Sequence, residues 1–310
     1  MVYKPISIVV PVKNREKLIL RALDSVRHQS YRPIRLIVVD NDSSDSTLDV
    51  VTEWKRKHET DDFRISVLSE NKPGAAAARN RGLREVDTEH LLFFDSDDVM
   101  LPDLAMTVME EFDRHPKLDL IYWRTAVVNS LEEVIPKRFA RFDLLRRHIY
   151  NGVLSTQAYA LRTDLIRSIG GWDESLSVWD DYELGLRILG HSPEMKGIFR
   201  VLAHIYPQAE SLTGTDYQSK AGKWEKALDA MERGAELFDT SVAERIRNMI
   251  LYRRMNLAAL YASEGREDIA FPLRDLILKS SPLSPWRRRL LRFIFNYTRR
   301  GGRAAYLLWD

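Results

Sequence analysis

Cysteine is missing from all 310 positions, which excludes disulfides and thiolate metal sites and suits a reducing compartment. Long apolar runs are missing too. No uninterrupted stretch reaches the roughly 18 residues that a membrane-spanning helix needs. The opening Met1-Val2-Tyr3-Lys4-Pro5 lacks the basic and apolar segments of a secretion signal, so the expected location is cytoplasmic. Neither G-x-G-x-x-G nor G-x-x-x-x-G-K occurs, which argues against dinucleotide-binding and P-loop chemistry. Net charge is small, +2 from 47 basic and 45 acidic residues. The charges are nevertheless segregated: acids gather at a few strand-like ends, and the C-terminal tail is strongly basic.

What is present is an ordinary globular mixture, 45% hydrophobic and 30% charged, in a chain longer than one typical core needs. Strand-like runs (Ile6 to Val10, Leu36 to Val39, Ile65 to Leu68, Leu91 to Phe94, Leu118 to Trp123) alternate with helical patterns (Leu18 to Gln29, through Lys57, Ala75 to Glu85, Asp103 to Arg114). This alternation predicts an α/β fold with a mostly parallel sheet covered on both faces. Ser43 and Ser44 are N-cap candidates for the second helix. Farther on, Val153 to Leu161 and Phe199 to Tyr206 read as extended, and Phe139 to Tyr150 and Asp180 to Leu189 as helical. Tyr217 to Leu237, Val242 to Glu264 and Ile269 to Lys279 read as an all-α region. The expected division is 1–214 and 215–310.

Open parallel sheets bind ligands beyond the carboxyl ends of their strands. Pro11, Asp40 and Asp95 each end a strand-like run. The run His90-Leu91-Leu92-Phe93-Phe94-Asp95-Ser96-Asp97-Asp98 delivers carboxylates into the loop after a buried strand. Carboxylates so close repel one another unless a cation neutralises them, and Mg²⁺-type ions bridge carboxylates to substrate phosphates. Asp40-Asn41-Asp42-Ser43-Ser44-Asp45 is a second acidic group; Asp42 or Asp45 suits a helix cap, while Asp40 and Asn41 suit the imide N–H of a uracil or thymine. In Gly74-Ala75-Ala76-Ala77-Ala78-Arg79 small residues open a helix N-terminus to a ligand, and Arg79 can pair with phosphate. In Asp180-Asp181 at a helix start, one carboxylate is a candidate general base and the plainer role is capping.

These groups, in this order, resemble the family 2 glycosyltransferases of GT-A fold over about residues 4 to 213. The carriers are Ile8-Val9-Val10-Pro11-Val12-Lys13-Asn14-Arg15, Asp40 to Asp45, Gly74 to Leu83, Asp95 to Asp98, Gly170 to Glu174 and Asp180 to Arg187. The resemblance implies an inverting, metal-dependent transfer of sugar from a nucleotide-diphosphate sugar to an acceptor hydroxyl. It implies Pro11, Asn14, Asp40, Asn41, Arg79, Asp95 and Ser96 around the nucleotide and its diphosphate. It also implies Asp95 and Asp97 as the Asp-x-Asp pair on Mg²⁺ or Mn²⁺, with Asp97 the better ligand, and Asp181 as the base. Trp172, Asp173 and Asp180 fall on the acceptor side, where Asp180 stands in place of the usual Glu. Three positions depart from the pattern: Lys13 replaces a stacking aromatic, Asn41 replaces a second acid, and Gln208 sits where many members have His, with His204 nearby but out of register.

The implied setting is bacterial surface polysaccharide or lipopolysaccharide synthesis, with a glycan or lipid-linked glycan as acceptor. The tail 285–303 interleaves arginines with aromatics, a pattern suited to the inner face of an anionic membrane. The plainer reading packs Leu290, Phe293 and Ile294 onto the helical region. Nucleic acid is not an expected partner, because no nucleic-acid motif accompanies the patch. Two other readings fit the residues less well. A sugar nucleotidyltransferase would want a glycine-rich loop after the first strand, and Pro11-Val12-Lys13-Asn14-Arg15 has none. An inert nucleotide-sugar or carbohydrate-binding module would not need Asp97 and Asp181.

Overall fold

The computed structural model describes residues 3–137, 139–140, 142–208, 217–280 and 283–309. Four strands, β1 (Ile6–Val12), β2 (Ile34–Asp40), β3 (Phe63–Ser69) and β4 (His90–Phe93), run parallel in the order β3-β2-β1-β4. Helices α1 (Ile19–Arg27), α2 (Thr47–His58) and α3 (Ala75–Glu85) connect them. The β-branched and aromatic side chains of β1, β2 and β4 are buried on both faces. That is why the runs are continuously apolar rather than alternating. Gly82 lets α3 close onto β1, since a Cβ there would sit 2.4 Å from Val9 Cγ1.

The second half of the sheet is mixed. It adds β5 (Val99–Met100), helix α4 (Leu104–Arg114), β6 (Leu120–Val128), β7 (Val134–Pro136), helix α5 (Leu144–Asn151), β8 (Tyr159–Arg162), helices α6 (Thr163–Ser168) and α7 (Asp180–Gly190), and β9 (Met195–Ile205). Strand β8 pairs antiparallel with β4 and β6, while β9 runs parallel to β6 and carries β5 on its far side. The C-terminal region is helical: α8 (Lys223–Gly234), α9 (Thr240–Ser263), α10 (Glu267–Ser280) and α11 (Pro285–Arg299). Ile149, Val178 and Leu186 share one apolar core with Trp224, Ile246, Ile250 and Phe295, so these helices pack directly on α5 and α7.

Several local expectations need correction. Pro11 does not end its strand, because it pairs with Val39 inside the β1–β2 ladder. It is buried there. Of the 153–161 run only the part from Tyr159 is in a strand, β8 (Tyr159–Arg162); a 3-10 turn at Thr156–Ala158 precedes it. The N-cap position of helix α2 is Ser46, without a side-chain cap; Asp45 just before it accepts the Thr47 N–H on Oδ1 at 3.0 Å. Ser43 and Ser44 are instead engaged by Asn14 across the loop. Helix α5 starts at Leu144 rather than Phe139, and α8 at Lys223 rather than Tyr217. The expected division at 214 lies outside the described residues.

Candidate active site

A cavity of about 590 Å³ lies beyond the tip of β4. Asp95, Asp97 and Asp98 line one side, and Asp181, at the N-terminus of α7, lines another. Lys137, Tyr206 and Gln208 add polar groups, and α9 contributes Arg253 and Asn256. Sequence elements separated by more than 80 residues therefore bring their acids to one enclosed space.

The carboxylates differ in surroundings. Asp97 is pushed above the usual carboxylate range by burial and by nearby Asp95, with Arg15 opposing. Its turn is fastened by Arg21, which donates to the Asp97 carbonyl and stacks 3.8 Å from the Tyr206 ring centroid. Asp98 is a structural acid: Oδ1 accepts the Tyr206 N–H at 2.9 Å and Oδ2 accepts from Gln157 at 2.8 Å. Asp181 accepts the N–H of Tyr182 at 2.9 Å and keeps part of its surface open to the cavity. Burial first, then neighbouring Asp180, raises its pKa to about 7. A carboxylate poised near neutrality suits proton abstraction.

Arg79 links the two acidic groups. Its guanidinium donates to Asp95 Oδ1 at 2.9 Å and to Asp180 Oδ2 at 2.8 Å, and it lies 4.3 Å from the Trp172 ring centroid. Desolvation works against its charge, but Asp180 and Asp95 outweigh that and raise its pKa. Both carboxylate partners are protein groups, so Arg79 ties the β4 tip to the start of α7 and does not stand free for phosphate. Trp172 is buried beneath Arg79 and edge-on to Phe93, hence outside the cavity. Asp173 accepts the Ser175 N–H at 2.8 Å and lines a different recess. Neither residue reaches the acceptor side of this cavity, because the 170–174 turn packs against α3. Asn80 pins that turn through the Trp172 N–H, the Trp172 carbonyl and Glu174. Gly171, at φ +72°, has no room for a Cβ, which would fall 2.5 Å from Asn80 Oδ1.

Asn14, Asp40 and Asn41 sit at the β1 and β2 ends and are not part of the cavity lining. Asp40 is buried, its Oδ2 accepts the Ser43 N–H, and Oδ1 has no partner among the described residues. A buried acceptor left open is costly unless a ligand N–H fills it. Asn41 is placed differently from the expectation. Its amide donates to the Glu70 and Lys72 carbonyls and its Oδ1 accepts the Gly74 N–H, so it shapes the loop into α3. Asn14, at φ +51°, joins the loop after β1 to Ser43 and Ser44. Ser96 is buried in the β4–β5 turn, away from the cavity. His204 lies in β9, opposite Ala126 of β6 and Val99 of β5, and does not line the cavity, whereas Gln208 does.

Sequence reasoning missed three groups. Lys137 lines the cavity from the segment after β7, where burial lowers its pKa against the pull of Asp181 and Asp98. Arg253 is buried between the rings of Trp179 and Tyr182, 4.0 and 4.1 Å from their centroids, and donates to the Ile149 carbonyl. His148 lies over Gly185 with Nε2 2.9 Å from the Tyr182 carbonyl and Nδ1 accepting the Leu154 N–H. None of the three sits in a recognisable motif. The one sequence signal was the aromatic pair, Trp179 and Tyr182, around Asp180-Asp181.

The doubly covered sheet, the acidic turn after β4 and the carboxylate-led helix α7 define a GT-A fold, and the glycosyl transferase family 2 profile matches residues 7–163. The chain belongs to that family. An uncharacterised glycosyltransferase of Haemophilus influenzae is 27% identical over 192 residues, 59% of this chain and 62% of the relative. The Campylobacter jejuni GalNAc(5)-diNAcBac-PP-undecaprenol β-1,3-glucosyltransferase is 34% identical over 108 residues, 34% of each chain. Among solved structures, Staphylococcus aureus TarS 1–349 in complex with UDP-GlcNAc superposes with TM-score 0.74 at 20% identity, covering 96% of this chain and 92% of that one. The chain thus spans less than two thirds of these two curated relatives.

Proposed function

We propose that the chain is an inverting, metal-dependent glycosyltransferase that moves a sugar from a nucleotide-diphosphate sugar to a hydroxyl of a glycan or lipid-linked glycan, in the assembly of a bacterial surface polysaccharide or lipopolysaccharide. The observation that carries this is Asp181, raised toward neutrality by burial, in the same cavity as Asp95 and Asp97. Residues 1–214 form the transferase unit in this reading, and 215–310 the helical unit that closes its acceptor side. The Campylobacter relative's name supports a lipid-linked acceptor.

Asp181 takes the proton of the acceptor hydroxyl as that oxygen attacks the anomeric carbon. The new C–O bond forms on the face opposite the departing diphosphate, which leaves with the electron pair of the broken bond. One base suffices for this single displacement, unlike glycoside hydrolysis, where the leaving oxygen also needs a proton. Asp40 Oδ1 would accept the imide N–H of the base. Arg79 holds Asp95 and Asp180 in place and keeps α7 at a fixed distance from the β4 tip.

Asp95 and Asp97 would hold Mg²⁺ or Mn²⁺. The fit is sound on charge: burial and Asp95 disfavour the ionised form of Asp97, a strain a divalent cation relieves. Among the described residues no group of three or more His, Cys, Asp or Glu is arranged to hold a metal. The residues therefore suit an ion that draws its remaining ligands from diphosphate oxygens and water, as Mg²⁺ commonly does. When bound, it would supply Lewis-acid stabilisation of the leaving diphosphate.

A thermal-shift screen of UDP-, GDP- and dTDP-sugars with Mn²⁺ or Mg²⁺ tests the reading, because a ligand that binds only the folded state raises the melting temperature. One nucleotide sugar should stabilise the protein in a metal-dependent way, and Asp97→Ala should abolish that shift. No shift with any donor would overturn the proposal.

A further inference from the structure

Helix α11 buries one apolar face and leaves a second one open. Leu291, Ile294, Phe295 and Thr298 are buried in the C-terminal core. At about 100° per residue, Trp286, Phe293 and Tyr297 fall together on the opposite side. They are 58%, 51% and 41% exposed, and the Phe293 and Tyr297 rings stack at 5.7 Å. A helix on a globular surface ordinarily turns polar residues outward. An aromatic outer stripe therefore calls for a partner. The packing expectation for this tail holds in part: Ile294 packs inward, while Phe293 does not.

The charge around the stripe indicates what kind of partner. Arg289 and Arg300 share its side of the helix, and Arg292 and Arg303 flank it, all exposed. None of these four side chains forms an ion pair among the described residues. No acidic residue lies between Asp275 and Asp310. Beside the stripe a shallow recess of about 520 Å³ between α10 and α11 is lined by Asp275, Leu278, Lys279, Arg288 and Arg292. Its one acid is already paired, with Arg274 at 2.8 Å, and Arg288 Nε is buried without a hydrogen bond among the described residues. Unneutralised cations beside exposed aromatics match an anionic lipid surface, where phosphates meet the arginines and rings enter the headgroup boundary. A second copy of the same surface would meet like charge with like charge.

The position of the helix adds a functional link. Thr298 at its C-terminal end, with Gly302, Arg303, Ala304 and Tyr306 just beyond, lines the cavity that holds Asp181. We propose that the open face of α11, with the α10–α11 recess, docks on an anionic bilayer and sets the cavity beside the membrane, within reach of an acceptor held there by its lipid. The bilayer contact stands on the surface alone; its link to the acceptor rests on the transferase reading.

The test is flotation of the full chain with phosphatidylcholine vesicles, with and without phosphatidylglycerol. The protein should float with the anionic vesicles only, and added salt should release it. Trp286→Ser/Phe293→Ser and Arg289→Glu/Arg292→Glu should each lower the bound fraction, the charge reversal by about 30-fold or more in partition. Both variants should keep the wild-type melting temperature and nucleotide-sugar shift, since these side chains are exposed and outside the cavity. Wild-type protein that stays behind, or variants that float like wild type, would overturn the proposal. So would a dimer, seen by sedimentation, that Trp286→Ser/Phe293→Ser dissolves while vesicles do not compete for it. Flotation without any nucleotide-sugar shift would sink the transferase reading and leave the docking surface standing.

Discussion

Asp181 shows how one residue acquires a role from its surroundings. An ordinary aspartate is ionised far below neutrality and is a weak base. Here burial and Asp180 lift its pKa to about 7, so it holds a proton affinity useful for catalysis. The ionised form is the active one, so transfer should rise with pH through the neutral region and level off above it. A pH–rate profile of kcat with saturating donor measures this; a rate that falls as pH rises from 6 to 8 would contradict the assignment. Asp181→Asn removes the base and keeps the shape. It should leave the donor-induced melting shift close to wild type and lower kcat by about 10²- to 10⁴-fold. A variant with the wild-type rate would remove Asp181 from the mechanism.

At the scale of elements, the catalytic carboxylate depends on how α7 is held. Three separate anchors converge on it: Arg79 from α3 grips Asp180, Arg253 from α9 stacks between Trp179 and Tyr182, and His148 from α5 sits over Gly185. The last contact is the tightest, since a Cβ at Gly185 would stand 2.3 Å from His148 Nε2. Gly185→Ala must displace a buried ring and its hydrogen bonds to α7 and Leu154. It should destabilise the protein by about 1–3 kcal/mol, the usual cost of overpacking. In urea the midpoint should fall with an unchanged slope, and kcat should fall with it as α7 shifts. A variant as stable as wild type would show that α7 is not seated by this contact.

At the scale of the whole molecule, two buried imidazoles set an acid limit on folding. Burial lowers the pKa of both His148 and His90 to about 4. His90 stacks on Phe112 at 4.0 Å, and neither of its ring nitrogens has a hydrogen-bond partner among the described residues. Between pH 6.5, the ordinary histidine value, and about 4 the unfolded chain takes up protons that the folded chain refuses. Stability is therefore fully present above pH 6.5 and falls as pH drops through that window. His148→Gln, which keeps a polar side chain of similar length, should flatten that loss when urea midpoints are compared across the window. An equally steep loss in the variant would place the acid sensitivity elsewhere. The α8–α11 helices share an apolar core with Ile149, Val178 and Leu186, so they should unfold in the same transition.

The sequence by itself determined the strand and helix order of the N-terminal half, because β-branched runs alternating with amphipathic segments have few other ways to bury their apolar faces. It also marked which acids sit at strand and helix ends, since a charged residue that closes an apolar run is delivered to the surface beyond the sheet. What it left open was decided by packing between distant segments. Asn41 reads as a ligand residue until its amide is seen fastening the loop into α3. Trp172 reads as an acceptor wall until it is found beneath Arg79. Lys137 and Arg253 carry no local signature, because a lone cation looks the same in any exposed loop or helix. Their place in the cavity arises only when the segment after β7 and helix α9 meet the start of α7 there, and burial, which shifts the pKa of Asp181, exists only in the folded chain.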